Sequence, residues 1–207
     1  MTRVFWDVDT QVDFIRPDGK LYVAGAETIV TNLAALTDFA HRQGIRIVGS
    51  SDNHDPGDEE LSATPDFTDT FPPHCLRDTE GQARIPETVL RNALIVEPED
   101  PVAAVVGRVA NHGGDILFHK RYFDVFTNPS VEPVVEALAI DEVVLYGVAL
   151  DVCNRYAVEG LLAHDPGVAI TVVTDAVRAI NEDGRDALLA DWQRRGVTLA
   201  RTKQVVA

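Results

Sequence analysis

Short apolar runs alternate with amphipathic stretches along most of the chain, and this alternation constrains the fold more than any other feature. The clearest apolar run is Glu142–Val148, which has the length and the β-branched content of a buried strand. The clearest amphipathic stretch is Ala26–Arg42, where apolar residues recur every three or four positions and Gly44 follows as a helix C-cap. The sequence therefore predicts strands that alternate with helices along most of the chain.

Strands that alternate with helices favour right-handed crossovers and a mainly parallel sheet. We therefore predict an α/β fold over residues 1–207: a single doubly wound domain with a mainly parallel sheet of about six strands and helices on both faces. The predicted strands are Val4–Trp6, Ile45–Ser50, Ile116–Lys120, Glu142–Val148, Val168–Thr174 and Val197–Ala200, with Leu94–Val96 as a further candidate. The predicted helices are Ala26–Arg42, Val131–Ala139, Asp151–His164 and Gly184–Arg195.

Two segments interrupt this alternation. Residues 51–88 are rich in proline and show little periodicity, and residues 97–115 read as an irregular or partly helical insert. Long irregular segments in a compact domain are usually functional, so the first of them is a candidate for carrying site residues.

The charge composition excludes several classes of partner. The chain of 207 residues has 33 acidic against 18 basic residues, a net charge of −15, with the acids spread along the sequence. Binding to nucleic acid or to an anionic membrane needs clustered cations, so we expect neither partner. Two cysteines make no disulfide framework, and the charged N-terminus and the short apolar runs indicate neither a signal peptide nor a membrane span. We expect a cytoplasmic protein with free thiols.

Polar side chains follow four predicted strands. Asp9 comes after the first strand, Asp52 and His54 after the second, Lys120 closes a later one, and Cys153 stands shortly after Glu142–Val148. Ligands of open α/β sheets bind at the carboxyl ends of the strands, so these residues are expected at one edge.

Cys153 is a candidate nucleophile, because the N-terminus of a helix lowers the pKa of a thiol and its N–H groups can hold an oxyanion. Its alternative role is that of a small buried apolar residue. Asp9 is a candidate general base with Lys120 as its partner, or else one half of a structural ion pair. Lys120 could also simply leave the sheet into water. For Asp13 a structural role, as an ion pair or a helix cap, is the better interpretation.

Asp52 and His54 stand two residues apart in an extended segment, so their side chains point the same way. With His74 from the long loop they would form a set of two histidines and one carboxylate, which suits zinc, iron or manganese. Asp55 and Asp58 could add an outer contact. The alternative is ordinary surface turn chemistry. Three further histidines are expected to face solvent; they are His41, His112 and His164.

Taken together, these residues resemble a known family, the isochorismatase-like cysteine hydrolases, and within it the nicotinamidase-related amidases. The resemblance covers nearly the whole chain, with five motifs in the family's order. They are Asp9–Phe14 (D-x-Q-x-D-F), Asp52–His54 (D-x-H), Phe71–Cys75 (W-P-x-H-C), Lys120–Phe126 (K followed by F) and Gly147–Cys153 (G-V-A-x-x-x-C).

The resemblance implies a role for each matching residue. Cys153 would be the nucleophile, Asp9 the general base and later acid, and Lys120 the third member of the triad. The metal would be held by Asp52, His54 and His74. A cis peptide would join Val148 to Ala149 and turn the Ala149 N–H toward the oxyanion. The substrate pocket would be lined by Phe14 and Phe71.

The activity implied is hydrolysis of a small carboxamide, with release of ammonia through a thioester. The implied cofactor is a divalent metal, zinc first and iron or manganese as alternatives, and the implied assembly is a homo-oligomer, either a dimer or a tetramer. Two alternatives stay open: isochorismatase-type hydrolysis of a vinyl ether, and a non-catalytic binding module that keeps the fold. The sequence departs from the nicotinamidase pattern at Phe71, where tryptophan is usual, and at Asp58, where some members carry histidine.

Overall fold

Seven parallel strands form one sheet in the computed structural model, which describes residues 2–164 and 167–207. The spatial order of the strands is β3-β4-β2-β1-β5-β6-β7. They are β1 (Thr2–Val8), β2 (Ile47–Asp52), β3 (Leu94–Val96), β4 (Ile116–Lys120), β5 (Ile140–Val148), β6 (Ala169–Arg178) and β7 (Thr198–Ala200). Because β1 is central and the chain winds outward to both sides of it, the predicted doubly wound α/β fold is confirmed.

Helices cover both faces of this sheet. They are α1 (Val12–Ile15), α2 (Val30–Gln43), α3 (Val102–Ala110), α4 (Val131–Ala137), α5 (Cys153–His164), α6 (Arg185–Arg194) and α7 (Thr202–Val205). The neighbouring residues Phe5 and Trp6 on β1 point to opposite faces and belong to two separate cores. The core around Trp6 includes apolar residues of α3 to α6, and the core around Phe5 includes those of α2 and α7.

The prediction of about six strands was wrong by one. Both edge strands, β3 and β7, are three residues long, and each pairs with a single neighbour. A three-residue run carries too little periodicity to separate a strand from a loop by sequence alone. Residues 97–115 are also no insertion in the fold, because they hold α3, the crossover helix between β3 and β4.

Residues 53–85, all of them described, run across the carboxyl edge of the sheet as turns and isolated bridges. His54 bridges to Leu76, and Leu61 bridges to Phe71, so the segment folds back on itself beside the end of β2. Within residues 2–164 and 167–207, no helix is long and apolar enough to cross a membrane.

Candidate active site and metal centre

Four neighbouring strands bring the predicted triad to one edge of the sheet. Asp9 directly follows β1, and Asp52 and Lys120 end β2 and β4, where they are paired in register. Cys153 begins α5, five residues after β5 ends. The order β4-β2-β1-β5 makes these strand ends adjacent, so the convergence follows from the topology.

Lys120 lies at the centre of this group and is fully buried. Its Nζ lies 3.0 Å from Asp9 Oδ2, contacts Asp52 Oδ1, and lies 3.7 Å from Cys153 Sγ. The other oxygen of Asp9 accepts a hydrogen bond of 2.7 Å from Ser50 Oγ. Lysine therefore neither leaves the sheet nor faces water, and it connects the thiol with two carboxylates.

The buried setting determines the protonation of the triad. Burial works against the charge of Lys120, but Asp52 and Asp9 outweigh it and raise the pKa of the lysine well above its usual value. Burial also raises the pKa of Asp9, although Lys120 opposes the shift. The result is a charged ammonium beside a carboxylate that is a stronger base than an exposed aspartate.

The expectation of a lowered thiol pKa was wrong. Burial raises the pKa of Cys153 well above its ordinary value, and Lys120 opposes this only in part. Removing a thiolate from water outweighs the partial charge of a helix N-terminus, which is worth about 0.3–1 kcal/mol. Cys153 therefore rests as a thiol and needs a base to take its proton.

The turn before Cys153 is built from backbone contacts. The peptide bond between Val148 and Ala149 is cis. Gly147 has a φ of +119°, and a Cβ there would lie 2.0 Å from the carbonyl oxygen of Val8 on β1, so only glycine fits. Asn154 holds the turn from the other side, since its Nδ2 donates to the Gly147 carbonyl at 3.1 Å and its N–H to the Ala149 carbonyl at 3.0 Å.

A second cluster lies next to the triad and shares Asp52 with it. Asp52, His54, Glu60 and His74 are buried, and they offer one ligand atom each within 4.8 Å of one another. His74 Nε2 lies 3.3 Å from Asp52 Oδ2 and 3.8 Å from Glu60 Oε1. His54 Nε2 lies 3.9 Å and 4.0 Å from the same two carboxylates.

Both histidines direct Nε2 toward the cluster, where His54 Nε2 has no hydrogen-bond partner and His74 Nε2 lies 3.3 Å from Asp52 Oδ2. His54 Nδ1 contacts Asp58 Oδ2 at 3.2 Å, and His74 Nδ1 donates to the Pro72 carbonyl at 2.7 Å. With hydrogen on Nδ1, each Nε2 would offer a lone pair to a cation held there, and that cation would replace the hydrogen bond between His74 Nε2 and Asp52. His54 Nε2 and Glu60 Oε2 are buried without a hydrogen-bond partner, and a cation would satisfy both. The donor set of two imidazoles and two carboxylates therefore fits a divalent metal such as zinc.

The charges of the cluster are strongly coupled to Lys120. Burial alone would raise the pKa of Asp52, but Lys120 and His74 outweigh it and hold that pKa below its usual range. Burial and the nearby Asp52 raise the pKa of Glu60 to about 8. Burial lowers the pKa of His54, whereas the contact with Asp52 overcomes burial and raises that of His74.

Sequence reasoning missed Glu60. The residue is 2 % exposed, although glutamate is almost never buried without a partner. The only signal in the sequence is an acid in the loop between His54 and His74, and six acids share that loop, so the pattern does not single it out. Asp58 contacts His54 from outside the cluster, as predicted. Asp55 instead pairs with Arg77 and Arg121.

Aromatic rings line the same region. Phe14 and Phe71 are buried, and their ring centroids lie 5.2 Å and 6.5 Å from that of His74. The ring centroid of Phe123 lies 6.4 Å from that of Phe71 and 4.8 Å from that of Tyr156. An apolar wall therefore adjoins the cluster at His74.

Other residues have structural roles. Asp13, as predicted, is structural: its carboxylate accepts hydrogen bonds from the N–H groups of Cys75 and Lys20. Cys75 is buried, and burial raises the pKa of its thiol. The expectation that His41 faces solvent was wrong, because its Nε2 lies 2.8 Å from Asp115 Oδ2 and its side chain is 6 % exposed. Folding of the loop before β4 against α2 creates this pair, which helical periodicity does not reveal.

Comparison with known proteins places the chain in a family. The family model described as the isochorismatase domain matches residues 7–204, so the chain belongs to the isochorismatase family. Its relatives include a nicotinamidase/pyrazinamidase of Mycobacterium tuberculosis, 28 % identical over 93 % of this chain and 95 % of that protein. Another is a maleamate amidohydrolase of Pseudomonas putida, 24 % identical over 89 % of this chain and 76 % of that protein.

A solved structure has the same fold. The pyrazinamidase of Pyrococcus horikoshii in complex with zinc superposes with a TM-score of 0.77, at 19 % identity. The match covers 97 % of this chain and 99 % of that one, so the two proteins share one fold over nearly their whole length. The resemblance seen in the sequence motifs is thereby confirmed at the level of family and fold.

Proposed function

We propose that this chain is a metal-containing cysteine amidohydrolase of the nicotinamidase type, which releases ammonia from a small carboxamide through a thioester. The observation that carries the proposal is the geometry around Lys120, whose ammonium lies 3.7 Å from the Cys153 thiol and 3.0 Å from the Asp9 carboxylate. A thiol, a base with a raised pKa and a fixed cation are the parts that nucleophilic amide cleavage needs. The neighbouring amidase relatives support this chemistry.

In the first half of the reaction, Asp9 takes the proton of the Cys153 thiol and the sulfur attacks the amide carbonyl carbon. Lys120 stays protonated and stabilises the negative charge that develops beside it. The N–H groups of Ala149 and Cys153 would hold the oxyanion. Collapse of the tetrahedral intermediate breaks the C–N bond, and Asp9 returns its proton to the leaving ammonia.

In the second half, the thioester is hydrolysed by water. Asp9 is again a carboxylate, so it takes a proton from the attacking water. The C–S bond then breaks, the carboxylic acid leaves, and the sulfur regains its proton from Asp9. Both halves use one base, which explains why Asp9 is held so firmly by Ser50 and Lys120.

The residues suited to hold the metal are Asp52, His54, Glu60 and His74. Bound there, a zinc ion would supply a Lewis-acidic position that binds and orients a polar atom of the substrate. Because Asp52 belongs to both clusters, it also keeps Lys120 charged. Phe14 and Phe71 would then pack against the apolar part of the substrate.

The vinyl-ether alternative is not favoured, because that reaction needs neither a thiol nor a metal.

As in the sequence-based prediction, we propose one domain over residues 1–207 and a cytoplasmic homo-oligomer, a dimer or a tetramer. Size-exclusion chromatography with light scattering tests the assembly; a monomer at micromolar concentration would contradict it.

Ammonia release from a panel of amides tests the function. The panel contains nicotinamide, pyrazinamide, maleamate and a ureido compound, so that planar ring amides are compared with an acidic one. We expect turnover of at least one of them, complete loss in Cys153→Ala, and retention in the matched variant Cys75→Ala, which removes the other thiol. Mass spectrometry after acid quench should show the acyl group on Cys153. Full activity of Cys153→Ala would refute the mechanism, and inactivity of the wild type on every amide would favour the non-catalytic alternative.

A further inference from the structure

Gln11 and Asp13 follow Asp9 by two and four residues. Their side chains form hydrogen bonds with the backbone of the two segments that carry candidate metal ligands. The segment Asp9–Asp13 follows β1 and alternates acid, amide and acid at its first, third and fifth positions. Asp9 belongs to the triad. Gln11 and Asp13 have no part in the proposed chemistry, yet they are 0 % and 5 % exposed. Burial of polar side chains has to be offset by hydrogen bonds, and the partners of these two are informative.

Gln11 forms a two-way pair with the backbone of Asp52. The Asp52 N–H donates to Gln11 Oε1 at 2.7 Å, and Gln11 Nε2 donates back to the Asp52 carbonyl at 2.8 Å. The second hydrogen of Nε2 goes to the Gln82 carbonyl at 2.7 Å. The Gln11 amide therefore makes the two backbone hydrogen bonds that a neighbouring strand would otherwise make with Asp52 at the end of β2. These bonds fix the backbone from which the Asp52 side chain projects.

Asp13 does the same for the segment that carries His74. Its Oδ2 accepts a hydrogen bond of 2.7 Å from the N–H of Cys75, the next residue after His74. The loop packs tightly around this carboxylate, since a Cβ on Gly81 would lie 2.2 Å from Asp13 Oδ2. The Gly81 carbonyl in turn accepts the Asp13 N–H at 3.0 Å.

We propose that Gln11 and Asp13 are positioning residues for the metal centre, which hold the Asp52 and His74 segments at the separation that a metal requires. This inference rests on the proposed function, because it presupposes that the four-residue cluster binds a cation. The two segments are 22 residues apart in the chain, and besides the contacts of Gln11 and Asp13 they are joined by the backbone bridge between His54 and Leu76. Donors held in place before binding lose less entropy when the ion arrives, and outer-shell partners of this kind are typically worth 10–100-fold in metal affinity.

The zinc affinity of the full chain tests the proposal, measured by competition with a chromophoric chelator at fixed pH. Gln11→Met keeps the length of the side chain and removes all three hydrogen bonds. Gly81→Ala leaves every polar group in place and forces the Asp13 carboxylate to move. We expect about 10–100-fold weaker zinc binding in each. Gln11→Glu keeps the acceptor for the Asp52 N–H and should lose less affinity than Gln11→Met.

Thr88→Val is the matched control. It removes a buried hydrogen bond of 2.7 Å between Thr88 and Thr10, so it also loosens the attachment to the chain after β1, but it touches no ligand segment. Its stability to urea should fall while its zinc affinity stays that of the wild type. If Gln11→Met does not fold, Gln11→Glu and Gly81→Ala carry the test.

Wild-type zinc affinity in every variant that folds, among Gln11→Met, Gln11→Glu and Gly81→Ala, would overturn the positioning role and leave the proposed function intact. Equal weakening in Thr88→Val would also overturn it, because the effect would then follow general stability. Failure of the wild type to bind zinc would instead overturn the metal part of the proposed function, and the inference with it.

Discussion

The site consists of two adjacent regions, and different parts of the fold position their residues. The triad region takes Asp9, Lys120 and Cys153 from the ends of three strands or from the turn that follows one. The metal region takes Asp52 from the end of β2, but its other three donors come from the irregular loop of residues 53–85. In the first region the sheet itself sets the distances. In the second, loop conformation and outer hydrogen bonds must do so.

Lys120 connects the two regions, because its ammonium contacts Asp9 of one and Asp52 of the other. Both carboxylates and the amine are almost completely inaccessible to water. A buried ion group of this type is not a strong source of stability, but removal of one member leaves an uncompensated charge. Substitution of Lys120 is therefore expected to disrupt both regions at once.

The largest effect is expected from Lys120→Met, which keeps the volume of the side chain and removes the charge. Two buried carboxylates would lose their shared cation, so the free energy of unfolding should fall by about 3–5 kcal/mol. Amide turnover should be lost as well, because no cation stabilises the intermediate. Urea denaturation and ammonia release are the measurements.

The double variant Asp9→Asn/Lys120→Met is the control for this change. It removes one negative and one positive charge, so part of the lost stability should return in a double-mutant cycle. A Lys120→Met protein as stable as the wild type would show that the two regions are not coupled through this amine.

The same contrast explains how much of the molecule the sequence predicts. The order of strands and helices follows from apolar periodicity, and the place of Asp9, Asp52 and Lys120 follows from the rule that strand ends share an edge. Glu60 could not be found, because its position depends on how a loop without periodicity folds back onto β2. The pKa of Cys153 was misjudged for a related reason: helix position is visible in the sequence, whereas the depth of burial is not.

Asp9→Asn tests the triad region alone. The thiol of Cys153 would lose its base, and general acid–base catalysis is typically worth 10²–10⁴-fold, so kcat should fall within that range. Zinc affinity should stay close to that of the wild type, because Asp9 is not a member of the donor cluster. Loss of zinc together with activity would mean that the regions cannot be separated.

The pH dependence of turnover by the wild-type protein also tests the role of Asp9 as the base. Asp9 acts as a base only when it is ionised, and burial raises the pKa of its carboxyl above the ordinary value of an aspartate. Turnover should therefore decline as the pH falls through an apparent pKa that is higher than that of an exposed aspartate. A kcat that stays constant down to pH 4 would contradict the role of Asp9.

Glu60→Gln tests the metal region alone. The change removes the charge of a donor whose Oε1 lies 3.8 Å from His74 Nε2, and keeps its size. Zinc affinity should fall by at least the 10–100-fold that outer-shell partners contribute. Because the metal is proposed to orient the substrate, KM should rise more than kcat falls. An unchanged zinc affinity would leave Glu60 as a buried acid outside the centre.

The smallest effect is expected from Asp58→Asn, which tests the outermost contact of the metal region. Asp58 Oδ2 accepts from His54 Nδ1 at 3.2 Å and from the Asp55 N–H at 2.9 Å, and asparagine can still accept through its amide oxygen. The variant loses only the negative charge that makes the His54 imidazole a stronger metal ligand. Zinc affinity should therefore fall by no more than about tenfold, the lower end of the 10–100-fold that hydrogen-bond partners of metal ligands contribute. Asp55→Asn, on the neighbouring acid that pairs with Arg77 instead, should leave zinc affinity unchanged. Equal effects of the two variants would mean that zinc senses the acidity of the loop as a whole, whereas a difference would place the boundary of the metal region between Asp58 and Asp55.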